Sequence, residues 1–123
     1  MTHPALRLTL DVPASARAGD RIPIRFEVEN AADAPVELTL AGRTLTFDIV
    51  VEDATGTVAW RRLEGAALQM IARLRILSPG ERLTLRSTWN GRAAPGNYTV
   101  RGLLLTDAAP LESPRVPLQL RAR

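Results

Sequence analysis

Short runs of alternating apolar and polar residues, separated by turn residues, restrict the fold of this chain more than any other feature. The first run carries Leu6, Leu8 and Leu10, and a longer run extends from Ile22 to Val28. Because successive side chains of a β-strand point to opposite faces of a sheet, each run predicts a strand with one buried and one solvated face. Strands are therefore the expected elements of this fold.

The same alternation recurs along the chain at the spacing of about 8–12 residues that is typical of β-sandwiches and barrels. Further runs occupy residues 36–40, 45–51, 58–61, 83–89, 98–104 and 116–120. The segments between them are rich in Gly, Pro, Asn and Asp, as turns and loops are. Examples are Pro13–Asp20, Asp53–Gly56 and Asp107–Pro114. Connections this short favour antiparallel pairing of the strands.

The segment from Glu64 to Leu77 fits two interpretations. Leu68, Ile71 and Arg75 could share one face of a helix, whereas the even-numbered positions from Leu68 to Ile76 fit a strand. A turn signal at Ser78–Glu81 and the absence of helix caps favour the strand. With this segment, nine strands are predicted.

Tyr98 narrows the prediction to one kind of sandwich. It follows the Pro95-Gly96 turn at the start of a late strand, where immunoglobulin-like domains place a tyrosine whose hydroxyl bonds to backbone upstream. An ordinary amphipathic strand residue is the alternative, and the corner is favoured. We therefore predict that residues 1–123 form a single all-β domain, an immunoglobulin-like antiparallel β-sandwich of about seven to nine strands. Its predicted buried residues are Phe26, Phe47, Trp60 and Val100.

Composition excludes several classes of site. The chain has no Cys and a single His, His3, near its start, so we expect no thiol chemistry, no metal site and no cofactor. All 16 basic residues are Arg, and the net charge is +3. The arginines alternate with apolar residues along the strands instead of forming a stripe with aromatics, which argues against nucleic acid as a partner.

The chain also lacks the features of membrane and exported proteins. No run approaches the roughly 18 apolar residues of a membrane span, and the start has no signal-peptide pattern. We expect a cytoplasmic monomer without membrane contact, with export left open if a signal preceded Met1.

Catalysis is not expected. The serines have only His3 as an imidazole partner. Asp48 and Glu52 lie on one strand face and could act as acid and base in a cleft. Charges solvated beside arginines on an exposed face are the favoured interpretation. The chain is therefore predicted not to be an enzyme.

An ordered series of short motifs resembles a known family. The series begins with Phe26–Asn30 and continues with Phe47–Val51, Asp53–Gly56, Val58–Arg61, Leu68-Gln69, Leu77–Glu81, Trp89, Pro95–Tyr98 and Gly102. Over about residues 22–106 the chain is similar to the intracellular proteinase inhibitors, the BsuPI-like domains. The resemblance implies an immunoglobulin-like sandwich that inhibits an intracellular serine protease without catalysing a reaction. It does not identify the contact loop.

Composition selects a candidate contact surface. The segment Asn90–Gly96 is polar, is closed by Pro95 and offers Arg92 to a protease with an acidic pocket. The predicted partner-binding residues are Trp89, Asn90, Arg92, Ala93, Ala94 and Pro95. An ordinary hairpin loop is the favoured interpretation of this segment, and Trp89 is either a contact or a core residue. An interaction module for a non-protease protein is the alternative function.

Overall fold

The structure, a computed structural model, describes residues 3–41, 46–64, 72–106 and 109–123. The regular elements of these ranges are eleven strands: β1 Leu6–Asp11, β2 Ser15–Arg17, β3 Ile22–Asn30, β4 Val36–Ala41, β5 Phe47–Asp53, β6 Val58–Arg61, β7 Ala72–Leu77, β8 Arg82–Trp89, β9 Gly96–Leu104, β10 Leu111–Glu112 and β11 Val116–Arg121. Within the same ranges no helix has the length and hydropathy that a membrane span requires.

The strands form an immunoglobulin-like β-sandwich. One sheet has the order β1-β3-β8, and a second has the order β2-β11-β9-β5-β6, with β10 added to β9. Strands β4 and β7 form a separate two-stranded sheet. All pairs are antiparallel except β2 and β11, which run parallel. The predicted fold class is confirmed.

The core lies between the two larger sheets, where the apolar faces of their strands meet. Phe26 of β3 is fully buried and contacts Phe47 of β5, with ring centroids 6.5 Å apart. A Cβ at Gly102 of β9 would lie 2.9 Å from the Phe26 ring, so only glycine admits the ring here. Burying a side chain of this size stabilises the fold by about 1.5–3 kcal/mol.

The outer face of the three-stranded sheet carries alternating charges. Arg82 of β8 lies 3.0 Å from Glu29 of β3, and Arg25 lies 3.1 Å from Asp11 of β1. Arg82, Arg25 and Asp11 are exposed and Glu29 is half-buried. Each such surface pair contributes at most about 1 kcal/mol. Arginines spread along the sequence are here the solvated face of a sheet, as their alternation predicted.

Nine of the eleven strands coincide with the nine predicted from alternation. The other two, β2 and β10, have three and two residues and lie in segments predicted to be loops. Sequence positions 45 and 68–71, which were assigned to predicted strands, lie outside the described residues. The strand interpretation of the ambiguous segment is confirmed for Ala72–Leu77.

The predicted core is correct for three of its four residues. Phe26, Phe47 and Val100 are buried. Trp60 is only partly buried and packs against the edge of the core. Its strand, β6, is the last strand of its sheet, so one side of the indole ring has no neighbouring strand to cover it.

Candidate functional site

The loop from Asn90 to Gly96 joins strands of different sheets. β8 ends at Trp89 in the three-stranded sheet, and β9 begins at Gly96 in the six-stranded sheet. The favoured interpretation as a hairpin is wrong in its topology, because a hairpin joins neighbouring strands of one sheet. The chain crosses here from one layer of the sandwich to the other.

Five of the six candidate binding residues reach the surface. Asn90, Arg92, Ala94 and Pro95 are exposed, and Ala93 is half-buried. The guanidinium of Arg92 forms no ion pair with any residue in the described ranges. It can therefore donate hydrogen bonds to a carboxylate of another molecule without first losing a partner.

Trp89 does not belong to the contact surface, and its assignment as a binding residue is wrong. Only 1% of its surface is exposed. Its ring stacks on Trp60 at a centroid distance of 6.0 Å and meets the edge of Tyr98 at 6.1 Å. It is the inward-facing last residue of β8, so alternation along the strand directs it into the core. Trp89 is therefore a core residue next to the loop and does not contact a partner.

Tyr98 holds the far end of the loop. Its ring is buried, and its hydroxyl donates a hydrogen bond to the carbonyl oxygen of Ala94 at 2.5 Å. The predicted tyrosine corner is therefore present. Because a buried phenol needs a hydrogen-bond partner, this bond fixes Ala94 relative to the core.

Gly91 holds the near end of the loop, although it is not among the predicted binding residues. It is buried with φ at +65°, and its carbonyl accepts hydrogen bonds from the amides of Gly19 and Ala93, both at 2.9 Å. A Cβ at this position would lie 2.7 Å from the carbonyl oxygen of Asp20. The Asn90-Gly91 dipeptide is a turn signal that could have pointed to it.

The loop is thus fixed at both ends, while its middle is exposed. Asn90 adds a further restraint, since its Oδ1 accepts a hydrogen bond from the amide of Arg92 at 3.1 Å. Backbone that is already held in one conformation loses less entropy when it binds. The arrangement can present Arg92 to a partner at low conformational cost.

Asp48 and Glu52 are buried, so their interpretation as solvated charges is wrong. Asp48 is 1% exposed, and its Oδ2 accepts from Nε and Nη2 of Arg61 at 3.0 and 2.7 Å. Its Oδ1 accepts from the amides of Ile49 and Leu63. All acceptor positions of this carboxylate are used within the protein.

Glu52 has the same kind of environment further along β5. It is 7% exposed and accepts from Arg101 at 2.9 Å and from Arg115 at 3.5 Å. Each oxygen of this carboxylate accepts a hydrogen bond from a different arginine, and such charge-assisted bonds are strong. The pair thus stabilises the outer face of the six-stranded sheet, and the geometry offers no acid–base site.

Asp53 ends β5 and closes the predicted turn into β6. Its Oδ1 accepts from the hydroxyl of Thr55 at 2.6 Å and from the amide of Thr57 at 3.0 Å. These hydrogen bonds hold the pKa of the Asp53 carboxyl below its ordinary value of 3.8, and the bond from the Thr55 hydroxyl has the largest effect. The role of Asp53 is to fix a turn.

Comparison with solved structures places the fold among known β-domains. The C-terminal domain of wzt matches with a TM-score of 0.63 at 10% identity, over 98% of this chain and 76% of that one. The CARDB domain of the PF1109 protein from Pyrococcus furiosus, solved with di-metal ions, gives 0.55 at 12% identity, over 98% and 93%. At such identities the likeness shows the fold alone.

A larger protein contains a similar domain. The alkylpurine DNA glycosylase AlkC of Pseudomonas fluorescens, solved bound to DNA, matches with a TM-score of 0.55 at 20% identity over 98% of this chain. The chain spans only 32% of the glycosylase, and again only the fold is shared. No curated protein matches the chain significantly. The family model described as intracellular proteinase inhibitor, BsuPI, matches residues 8–109.

Proposed function

Since this chain belongs to the BsuPI family of intracellular proteinase inhibitors, we propose that it inhibits a serine protease by binding the loop Asn90–Gly96 in the protease cleft. Membership of this family supports proteinase inhibition as the activity. The type of protease and the choice of loop are our proposal.

We choose this loop because its backbone is held in place at both ends. An inhibitory loop must keep its bound shape in the free protein, because ordering a mobile loop on binding consumes affinity. Small inhibitors often obtain this stiffness from disulfides, and this chain has no Cys. Here the hydrogen bond from Tyr98 to Ala94 and the packing of Gly91 on Asp20 supply it.

Arg92 is the residue proposed to determine which protease is bound. Its side chain lies between the two restraints, is exposed and has no ion pair among the described residues. In an acidic pocket a guanidinium forms charge-assisted hydrogen bonds, worth roughly 1.5–3 kcal/mol. This favours a trypsin-like protease over one with an apolar pocket.

Capture of a partner from native lysate tests the proposal. One half of the lysate is left untreated, and the other half is treated with an irreversible serine-protease inactivator that modifies only the active-site serine. The parent and Arg92→Ala proteins are immobilised and exposed to both halves. We expect a serine protease to be bound from untreated lysate by the parent protein and much less by the variant. We expect the inactivator to reduce its capture, because its adduct occupies the cleft.

Recovery of a non-protease partner by both proteins would contradict the proposal. It would favour the alternative of an interaction module. Recovery of a protease equally by both proteins would contradict only the choice of loop.

A further inference from the structure

Among the described strands, β7 has a neighbour on one edge only. It pairs with β4 alone, from Ala72 opposite Ala41 to Leu77 opposite Val36, and no other described strand lies beside it. A two-stranded sheet is marginally stable, and a third strand would stabilise it. The backbone groups on the free edge of β7 are a template for such a strand.

One face of β7 exposes large apolar side chains. Leu74 is 60% exposed and Ile76 is 48% exposed. Among the described residues only Val58 is a further large apolar side chain with comparable exposure. Leu74 and Ile76 are two positions apart and therefore neighbours on one face, opposite Thr39 and Glu37 of β4. Apolar side chains gathered in this way are typical of an interaction surface.

The other face of β7 carries Arg73, Arg75 and the fully buried Leu77. The β4 residues opposite the two arginines, Leu40 and Leu38, are buried, so this face is turned towards the core. Arg73 is exposed and forms no ion pair within the described ranges. Arg75 is 3.0 Å from Glu81, while its Nε is buried without a hydrogen-bond partner in the same ranges. Along its free edge β7 thus alternates arginine with exposed apolar residues.

We propose that the free edge of β7 binds an extended segment of a partner protein in which acidic and apolar residues alternate. The segment would add a strand, with its apolar side chains beside Leu74 and Ile76 and its carboxylates beside Arg73 and Arg75. Strand addition of this kind combines backbone hydrogen bonds with side-chain selection. The surface lies on a different sheet from the Asn90–Gly96 loop and is independent of the proposed inhibition.

The alternation also disfavours a second copy of this chain as the occupant. Any antiparallel pairing of two β7 strands that sets Leu74 and Ile76 opposite apolar residues sets Arg73 or Arg75 opposite an arginine. Like charges directly opposite one another destabilise a strand pair. An acidic partner segment has no such conflict.

Titration of the full-length protein with three synthetic peptides tests the proposal. The first is a seven-residue peptide of alternating Glu and Val, the second has Lys in place of Glu, and the third has Pro in place of the central Val. We expect the first alone to bind and to protect the amides of β7 from hydrogen exchange. Absence of binding by the first, or equal binding by all three, would overturn the proposal.

Matched variants locate the site. Ile76→Thr, which keeps strand propensity, should weaken binding of the Glu peptide roughly tenfold, whereas Val58→Thr on the β6 edge should not.

Arg73→Glu should abolish binding of the Glu peptide and permit binding of the Lys peptide. Arg86→Glu, which changes an exposed arginine of the β8 edge, should do neither. Equal effects of Arg73→Glu and Arg86→Glu would mean that peptide binding depends only on the net charge of the protein. That result would overturn the assignment of the site to β7. A concentration-dependent dimer in sedimentation that is lost in Ile76→Thr would overturn the choice of occupant.

Discussion

The hydroxyl of Tyr98 donates a hydrogen bond to the carbonyl oxygen of Ala94, 2.5 Å away. The bond joins the first buried side chain of β9 to the far end of the loop that precedes it. A residue of the core thereby determines where Arg92 and its neighbours can lie. The conformation of the candidate binding loop and the stability of the fold are coupled through this contact.

Tyr98→Phe should therefore lower the free energy of unfolding by about 1–2 kcal/mol, since one buried hydroxyl loses its partner while the ring remains. Chemical denaturation followed by tryptophan fluorescence measures the change. An unchanged midpoint would mean that the hydroxyl contributes nothing to the corner.

Gly91→Ala should destabilise the protein more than Gly80→Ala. Both glycines have positive φ, +65° and +79°, so both variants bear the cost of the left-handed backbone, about 1–2 kcal/mol. Only at Gly91 would the new Cβ meet a backbone atom, at 2.7 Å, because nothing lies within 4 Å at Gly80. Overpacking adds about 1–3 kcal/mol. Equal destabilisation of the two variants would show that Gly91 does not pack as described.

Alternation predicted the strands well wherever one face of a sheet is solvated. The β3 residues Ile22 to Val28 are the clearest example, since their apolar and charged positions lie on opposite faces. The two short strands β2 and β10 carry too few residues for a period of two to be recognised. β2 pairs with β11 from the other end of the chain, whereas β10 pairs with the end of β9, the strand before it.

Alternation predicted the strand β5 but not its burial, since both of its faces are buried from Phe47 to Glu52. β5 lies between β9 and β6, and arginines from those strands cover its outer face. Arg61 is 13 residues from Asp48, and Arg101 is 49 residues from Glu52. Such neighbours are set by the order of strands in the sheet, which the local pattern does not contain.

Asp48→Asn should show how much this buried ion pair contributes. We expect a loss of about 1.5–3 kcal/mol, because Asn has a single acceptor oxygen. Asp48 uses one oxygen for Arg61 and the other for the amides of Ile49 and Leu63, so one of these two sets loses its acceptor. Asp11→Asn is the matched control, since Asp11 also accepts from an arginine but its side chain is 70% exposed. Its loss should stay below about 1 kcal/mol. Similar losses in thermal or chemical denaturation would contradict the assignment of Asp48 to the interior.

The Asp53 carboxyl should titrate below pH 3.8 in an NMR pH titration, because the Thr55 hydroxyl and backbone amides stabilise its ionised form. A lowered folded-state pKa gives stability that is present above the unfolded-state value and is lost as the pH falls through the folded-state value. Thr55→Val should raise the midpoint towards 3.8. No difference between parent and variant would exclude the hydroxyl as the main cause.

The candidate site was predicted in part. The exposed loop and the tyrosine corner follow from Gly, Pro and Tyr at fixed positions. The burial of Trp89 and Gly91 does not, because it depends on Trp60 and Asp20, which come from other strands and turns. The restraints on the loop are therefore tertiary contacts, which the local sequence does not predict. Its exposed residues can be predicted from the local sequence.

Inhibition constants measured on a panel of trypsin-, chymotrypsin- and subtilisin-like proteases test the central proposal most directly. We expect the parent protein to inhibit the trypsin-like enzyme, Arg92→Ala to weaken this at least about tenfold, and Arg86→Ala, an exposed arginine outside the loop, to leave it unchanged. Both variants should keep the stability of the parent, because neither residue packs in the core. Failure of the purified protein to inhibit any of these proteases at micromolar concentration would contradict the proposed function.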